Sequence, residues 1–371
     1  MKIFMYLLSI LTLSGCFNSP SNGGKDEDQA LKILWNYAYD LDGGAPRALP
    51  IIHNDRIVTS GDINVTSLDF KTGELVWKTP FEHHRQLLNQ SFGLNDNVLV
   101  GSIARSLLAW NIQTGASLWK VDISDSLSFN NSRGIHSVPD GFVAVSNGPR
   151  LYKLDRQGEM EIIELDARSY ESTYVDGVLY VGQVKDSKGV VSAYHLDTME
   201  LIWRFEPGNY GFPVFLPPIV ENEIVYIGTA GGPTDSRNGF FALNAATGQE
   251  IWRREEIFTY SAILVGDRIF GVNGNNVWAL NKMTGQLLWS TNSLGGGHSN
   301  NNLVFMDGHV YWAHGSGLHV FNEVSGELVH VEPAPDKTTF QLITANKGRI
   351  FAQSSRHLYA FAPWGHEEAI E

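Results

Sequence analysis

The chain has 371 residues, 43% hydrophobic and 18% charged, with a formal net charge of −13 at pH 7 and one cysteine. That acidic excess argues against a nucleic-acid partner, because a phosphate backbone is gripped by Lys and Arg. One cysteine excludes an internal disulfide framework and a Cys-pair redox centre.

The N-terminus reads as an export signal. Lys2 supplies a small positive region, and Ile3 to Leu13 form an apolar stretch too short to span a bilayer. Leu13-Ser14-Gly15-Cys16 follows and resembles the box cut by lipoprotein signal peptidase, which requires Cys at the new N-terminus. We expect residues 1–15 to be the signal peptide and Cys16 to carry a diacylglycerol and a further, palmitate-type acyl chain. Two or more chains anchor stably where one does not. The alternative is a stray Cys in an ordinary signal or inner-membrane anchor. Residues 16–30 are then the lipidated Cys and a polar, acidic tether. Phe17, in place of Asp after Cys16, favours the outer membrane by resemblance to enterobacterial sorting, with the protein facing the periplasm.

From residue 31 a motif recurs about every 42 residues. It runs apolar–x–apolar–Asn/Asp, a polar turn closed by Gly, three residues, then Trp. Clear copies end at Trp77, Trp119, Trp252 and Trp289; weaker ones end at Ile162, Trp203 and His330. The alternation on either side predicts two strands, the Asn or Asp starts the turn, and Gly73, Gly115, Gly248, Gly285 and Gly326 supply positive φ. Met199 replaces Gly in one copy, so that turn is expected to be built differently or to be strained. Upstream of each motif lies a second strand pair around Asp-Gly, Gly-Asp or Glu-Asn.

The pattern predicts an all-β fold, an eight-bladed β-propeller of four-stranded antiparallel blades spanning 31–363. HLYAFAP (357–363) lacks an outer strand after it, whereas LKILWNYAY (31–39) is an outer strand with no inner strands before it. The N-terminal strand is therefore expected to complete the last blade and close the ring, covering an open edge. The recurring Trp, with Trp35 in register, is expected to fill the wedge between blades. Residues 364–371 read as an acidic, solvated tail.

No nucleotide loop, zincin motif or Gly-x-Ser-x-Gly elbow is present. His83-His84 and His298 fall in connections. His309, His314 and His319 share a blade, but their spacing puts neighbours on opposite faces or across a turn, so solvated loop histidines are expected. Asp122 and Asp125 read as loop residues. No catalytic residue, cofactor or metal is expected.

The Ala-Leu-Asn-x-x-Thr-Gly-x-x-x-Trp core (242–252) resembles the PQQ-like repeat of quinoprotein dehydrogenases and their relatives. With lipobox, tether and eight blades, the chain resembles the BamB family, the lipoprotein subunit of the β-barrel assembly machine. The resemblance implies a non-enzymatic, monomeric scaffold that binds periplasmic POTRA domains of the barrel subunit and handles unfolded outer-membrane substrates. The family's Ser-Leu-Ser-Leu-Arg-Gly contact loop is partly matched by residues 126–134, with a two-residue insertion. It implies partner contacts at Leu127, Phe129 and Arg133; a solvated loop Arg133 is the plain alternative. A propeller for another protein or a glycan, or a quinone-cofactor oxidoreductase, are the other functions the sequence leaves open.

Overall fold

A computed structural model describes residues 30–40, 48–61, 64–80, 92–103, 106–123, 134–208, 211–212, 216–229, 238–257, 259–273, 275–292, 294, 302–315 and 317–370. Cys16, Leu127, Phe129, Arg133, His83, His84, Asp125 and His298 lie outside them.

The described residues contain no helix and 32 strands, in eight sheets of four. Each sheet is an antiparallel meander, and the sheets follow one another as blades: blade 1 (51–80), blade 2 (93–122), blade 3 (135–164), blade 4 (168–205), blade 5 (219–255), blade 6 (261–290) and blade 7 (303–333). Blade 8 takes three strands from 340–361, and its outermost strand is Ile33–Ala38, paired antiparallel with His357–Phe361. The ring is thus an eight-bladed propeller closed by the N-terminal strand, as the orphan strand predicts. Hydrogen bonds flank the closure: Ala362 N to Lys32 O (2.9 Å) and Tyr39 N to Arg356 O (2.8 Å). The buried Glu332 carboxylate of blade 7 accepts the Leu31 N–H at 2.6 Å and His330 Nε2 at 3.0 Å.

The core is not one mass. Eight apolar clusters form, one in each seam between neighbouring blades, because each sheet offers an apolar face to both neighbours. Inner hairpins turn as the sequence predicts, with positive φ at Asp176-Gly177 and Asp307-Gly308. In a four-stranded meander the first and third turns leave from one face of the disc, called here the hairpin-turn face. The second turns and the connections between blades leave from the other.

The segment after blade 8 is packed rather than free. Trp364 stacks on His330 (4.4 Å between ring centroids), His366 bonds Asp307 at 2.7 Å, and Ile370 N donates to Gly348 O at 3.2 Å. Glu367 and Glu368 are exposed.

Candidate docking cleft

The repeat motif builds a latch between blades. In blade 2, Asn111 Oδ1 accepts the N–H groups of Gln113 and Thr114, and Gly115 N closes the turn on Asn111 O. A β-bulge between Ala109 and Trp110 then shifts the outer strand, so that Trp119 stands opposite Ala109 and leans toward blade 3. There its indole N–H donates to Arg156 O at 2.9 Å, and its ring covers Gly158.

Five other tryptophans repeat this geometry. Trp35, Trp77, Trp203, Trp252 and Trp289 donate to Phe70 O, Ile112 O, Ala245 O, Lys282 O and Glu323 O, at 2.8–3.2 Å. Each ring lies on the turn glycine of the following blade. A Cβ built on Gly115 would sit 2.5 Å from the Trp77 ring. The glycine is therefore fixed twice, by φ of +73° and by the indole above it. The wedge-filling role expected for Trp is realised as a ring-on-glycine contact with a hydrogen bond.

Blade 3 breaks the pattern. Its turn is one residue shorter, with Gly158 N bonding Asp155 O three positions back, whereas Gly115 N bonds Asn111 O four back. Its outer strand has no bulge. Ile162 pairs with Tyr152, whose cluster faces blade 2, so Ile162 does not occupy the Trp position. Glu161, opposite Lys153, stands there instead. Blade 3 has no Trp, and the next blade accordingly tolerates Met199 where glycine stands elsewhere. Met199 keeps the ordinary turn, with its N bonded to His195 O at 2.8 Å and φ of 56°, and packs partly into the seam. That turn is strained, as expected, but not rebuilt.

Where the indole would land, a cleft of about 950 Å³ opens on the hairpin-turn face. Its apolar lining includes Val138, Pro139, Phe142, Tyr174 and Leu196. Its charged lining is Asp140, Asp155, Glu159, Glu161, Asp176 and Asp197, against Lys153 alone. Asp155 is engaged in its turn, its Oδ1 accepting from Gln157 N and Glu159 N. The nearby Arg156 turns away, its Nε on Asn95 Oδ1 at 3.0 Å and its Nη2 on Asp96 at 3.1 Å. Repeat spacing hid this cleft, because Gly158 and Ile162 keep the four-residue step of the other copies. The signal was the shortened Asp155–Gly158 interval.

The histidines differ from expectation. His314 is 2% exposed and stacks on Trp312, with ring centroids 4.1 Å apart, and His319 lies 5.5 Å from His314 across the turn. Burial, with the neighbouring His314, pushes His319 down to about 4. They are packed, not solvated: residues 312 and 314 share a strand face, and 319 pairs with 312.

Blade 4 carries a polar cluster. Burial opposes ionisation of Asp166, but hydrogen bonds from Arg204 (2.7 Å) and Lys185 (2.5 Å) hold it down to about 2. These groups satisfy one another.

Among the described residues no three His, Cys, Asp or Glu side chains converge as metal ligands. A quinone with a bound cation finds no matching donor set among them.

An eight-bladed ring of such motifs defines a PQQ-like repeat propeller. The family profile described as outer membrane protein assembly factor BamB matches residues 28–162 and 104–259, and the chain belongs to that family. It is 30% identical over 130 residues to the outer membrane protein assembly factor BamB of Legionella pneumophila, covering 32% of this chain and 31% of that protein. It is also 30% identical over 129 residues to a quinohemoprotein alcohol dehydrogenase of Pseudomonas putida, covering 32% of this chain and 18% of that protein. The alignments therefore span less than a third of the length of these relatives. The crystal structure of BamB from Moraxella catarrhalis superposes with a TM-score of 0.71 at 17% identity, covering 92% of this chain and all of that one. That likeness establishes the fold.

Proposed function

We propose that the chain is a non-enzymatic scaffold, lipid-anchored through Cys16 to the outer membrane and facing the periplasm, that supports assembly of β-barrel proteins by protein contacts. In this reading residues 1–15 are removed, 16–30 tether the ring of 31–363, and 364–371 form its tail. The family match across 28–259 carries it. The closed ring of eight four-stranded blades supports it, since it offers a rigid frame for protein contacts. Leu127, Phe129 and Arg133 are the proposed contacts to POTRA domains of a barrel-assembly protein.

Crosslinked pull-down from intact envelopes tests the role. A POTRA-containing barrel protein should be captured, and Arg133→Glu should weaken capture at unchanged melting temperature. Capture of an unrelated protein or a glycan in its place would overturn it. So would a tightly bound quinone with dehydrogenase activity, the outcome that the similarity to alcohol dehydrogenases would favour. Cys16→Ser should abolish labelling by a palmitate analogue; equal labelling would refute the anchor.

A further inference from the structure

Two seams lack the tryptophan latch, and they are treated differently. At the seam between blades 7 and 8, His330 holds the Trp position and the chain's own Trp364 stacks on it. At the seam between blades 3 and 4 the cleft stays open. An open wedge in a ring held together by its seams forfeits contact area, so an uncovered apolar floor there marks a place for something else. The cleft's volume of about 950 Å³ is that of a ligand-binding groove rather than a packing defect.

The charges select the occupant. Asp140, Glu159, Glu161, Asp176 and Asp197 make no ion pair among the described residues, and Asp140, Glu159, Asp176 and Asp197 stand on hairpin turns on both sides of the seam. Clustered like charges repel one another and would be relieved by ammonium groups. Nucleic acid and anionic lipid would be repelled. The floor of Val138, Pro139 and Tyr174 calls for apolar side chains as well, which a bare cation lacks.

We infer that the cleft between blades 3 and 4 docks an extended, lysine-rich polypeptide segment, with apolar side chains against the floor and ammonium groups at the acidic rim. This surface lies beyond the assembly role proposed above and does not depend on it.

The test is fluorescence anisotropy on the purified full chain with a fluorescein-labelled peptide of alternating Lys and Val, and with its Glu–Val counterpart. The Lys–Val peptide should bind, more weakly as salt rises, and the Glu–Val peptide should not. The pair Glu159→Lys/Asp197→Lys should weaken binding about tenfold or more. The pair Glu74→Lys/Glu327→Lys makes the same charge change; its two sites occupy the same repeat position as Glu159 on other blades. It should weaken binding by about twofold at most. If the cleft pair lowers the melting temperature, Glu159→Gln/Asp197→Asn takes its place, with a smaller loss expected in the same direction. Equal loss in the cleft and control pairs would reduce the effect to net charge and overturn the proposal. So would parental binding by the cleft variants, or no binding of the Lys–Val peptide.

Discussion

The seam between blades 2 and 3 and the seam between blades 3 and 4 sit side by side and are built on opposite plans. In the first, a bulge aims Trp119 at Gly158, the indole N–H is satisfied, and the wedge is full. In the second, one residue fewer in the turn removes the bulge, puts Glu161 where Trp would stand, and leaves an acidic cleft. Trp and glycine in this repeat are therefore one device spread over two blades. When the Trp goes, the reason for glycine in the next blade weakens, and Met199 can follow.

The largest loss is expected at the closure. Removing residues 33–38 strips blade 8 of its outer strand and blade 1 of the Trp35 ring that covers Gly73. The ring should lose cooperative unfolding altogether, whereas removing 17–28 should leave the melting temperature of the soluble form unchanged. Calorimetry on the two deletions checks this, and like behaviour would refute closure by this strand.

Next in size is the latch itself. Trp77→Ala should cost about 3–5 kcal/mol by denaturant unfolding. Gly115→Ala, the other half of the same latch, should cost about 2–4 kcal/mol, from positive φ and the clash with the Trp77 ring. Met199→Gly, at the unlatched seam, should change stability by no more than about 1 kcal/mol, because relief of φ strain offsets lost packing. A Gly115→Ala variant as stable as the parent would dissolve the pairing of Trp and glycine.

Smaller than loss of the latch is an effect of pH at the closing blade. Burial opposes ionisation of Asp336, but hydrogen bonds from Ser354, Thr338 and His357 hold it down to about 2. A carboxylate whose folded pKa is depressed contributes stability that is present above about pH 4 and is lost as pH falls toward 2. Asp336→Asn should therefore cost about 2 kcal/mol at neutral pH and little at pH 2. Parallel melting curves for the two proteins across that range would remove Asp336 from the closure.

Much of this was legible in the residues. The motif announced eight blades because every blade must solve the same wedge problem, and the unmatched strands at 31–39 and 357–363 announced the closure. The latch was legible in part: Trp as filler was evident, but the glycine beneath it looked like a matter of φ alone. The open seam was missed, because its cause is a missing bulge, a register property that leaves apolar spacing intact. His314 and His319 were misjudged because a turn brings together residues that strand alternation keeps apart. Trp364 looked like part of a free tail because its partner, His330, stood in a Trp position and gave no sign of needing one. The expected contacts Leu127, Phe129 and Arg133 fall outside the described residues.

Hydrogen–deuterium exchange resolved blade by blade on the purified chain tests the central claim most directly, since local protection reports local opening free energy. Faster exchange is expected in the outer strand of blade 3 (160–164) and the turn at 195–200 than in their counterparts 117–122 and 244–249. Uniform protection around the ring would contradict it.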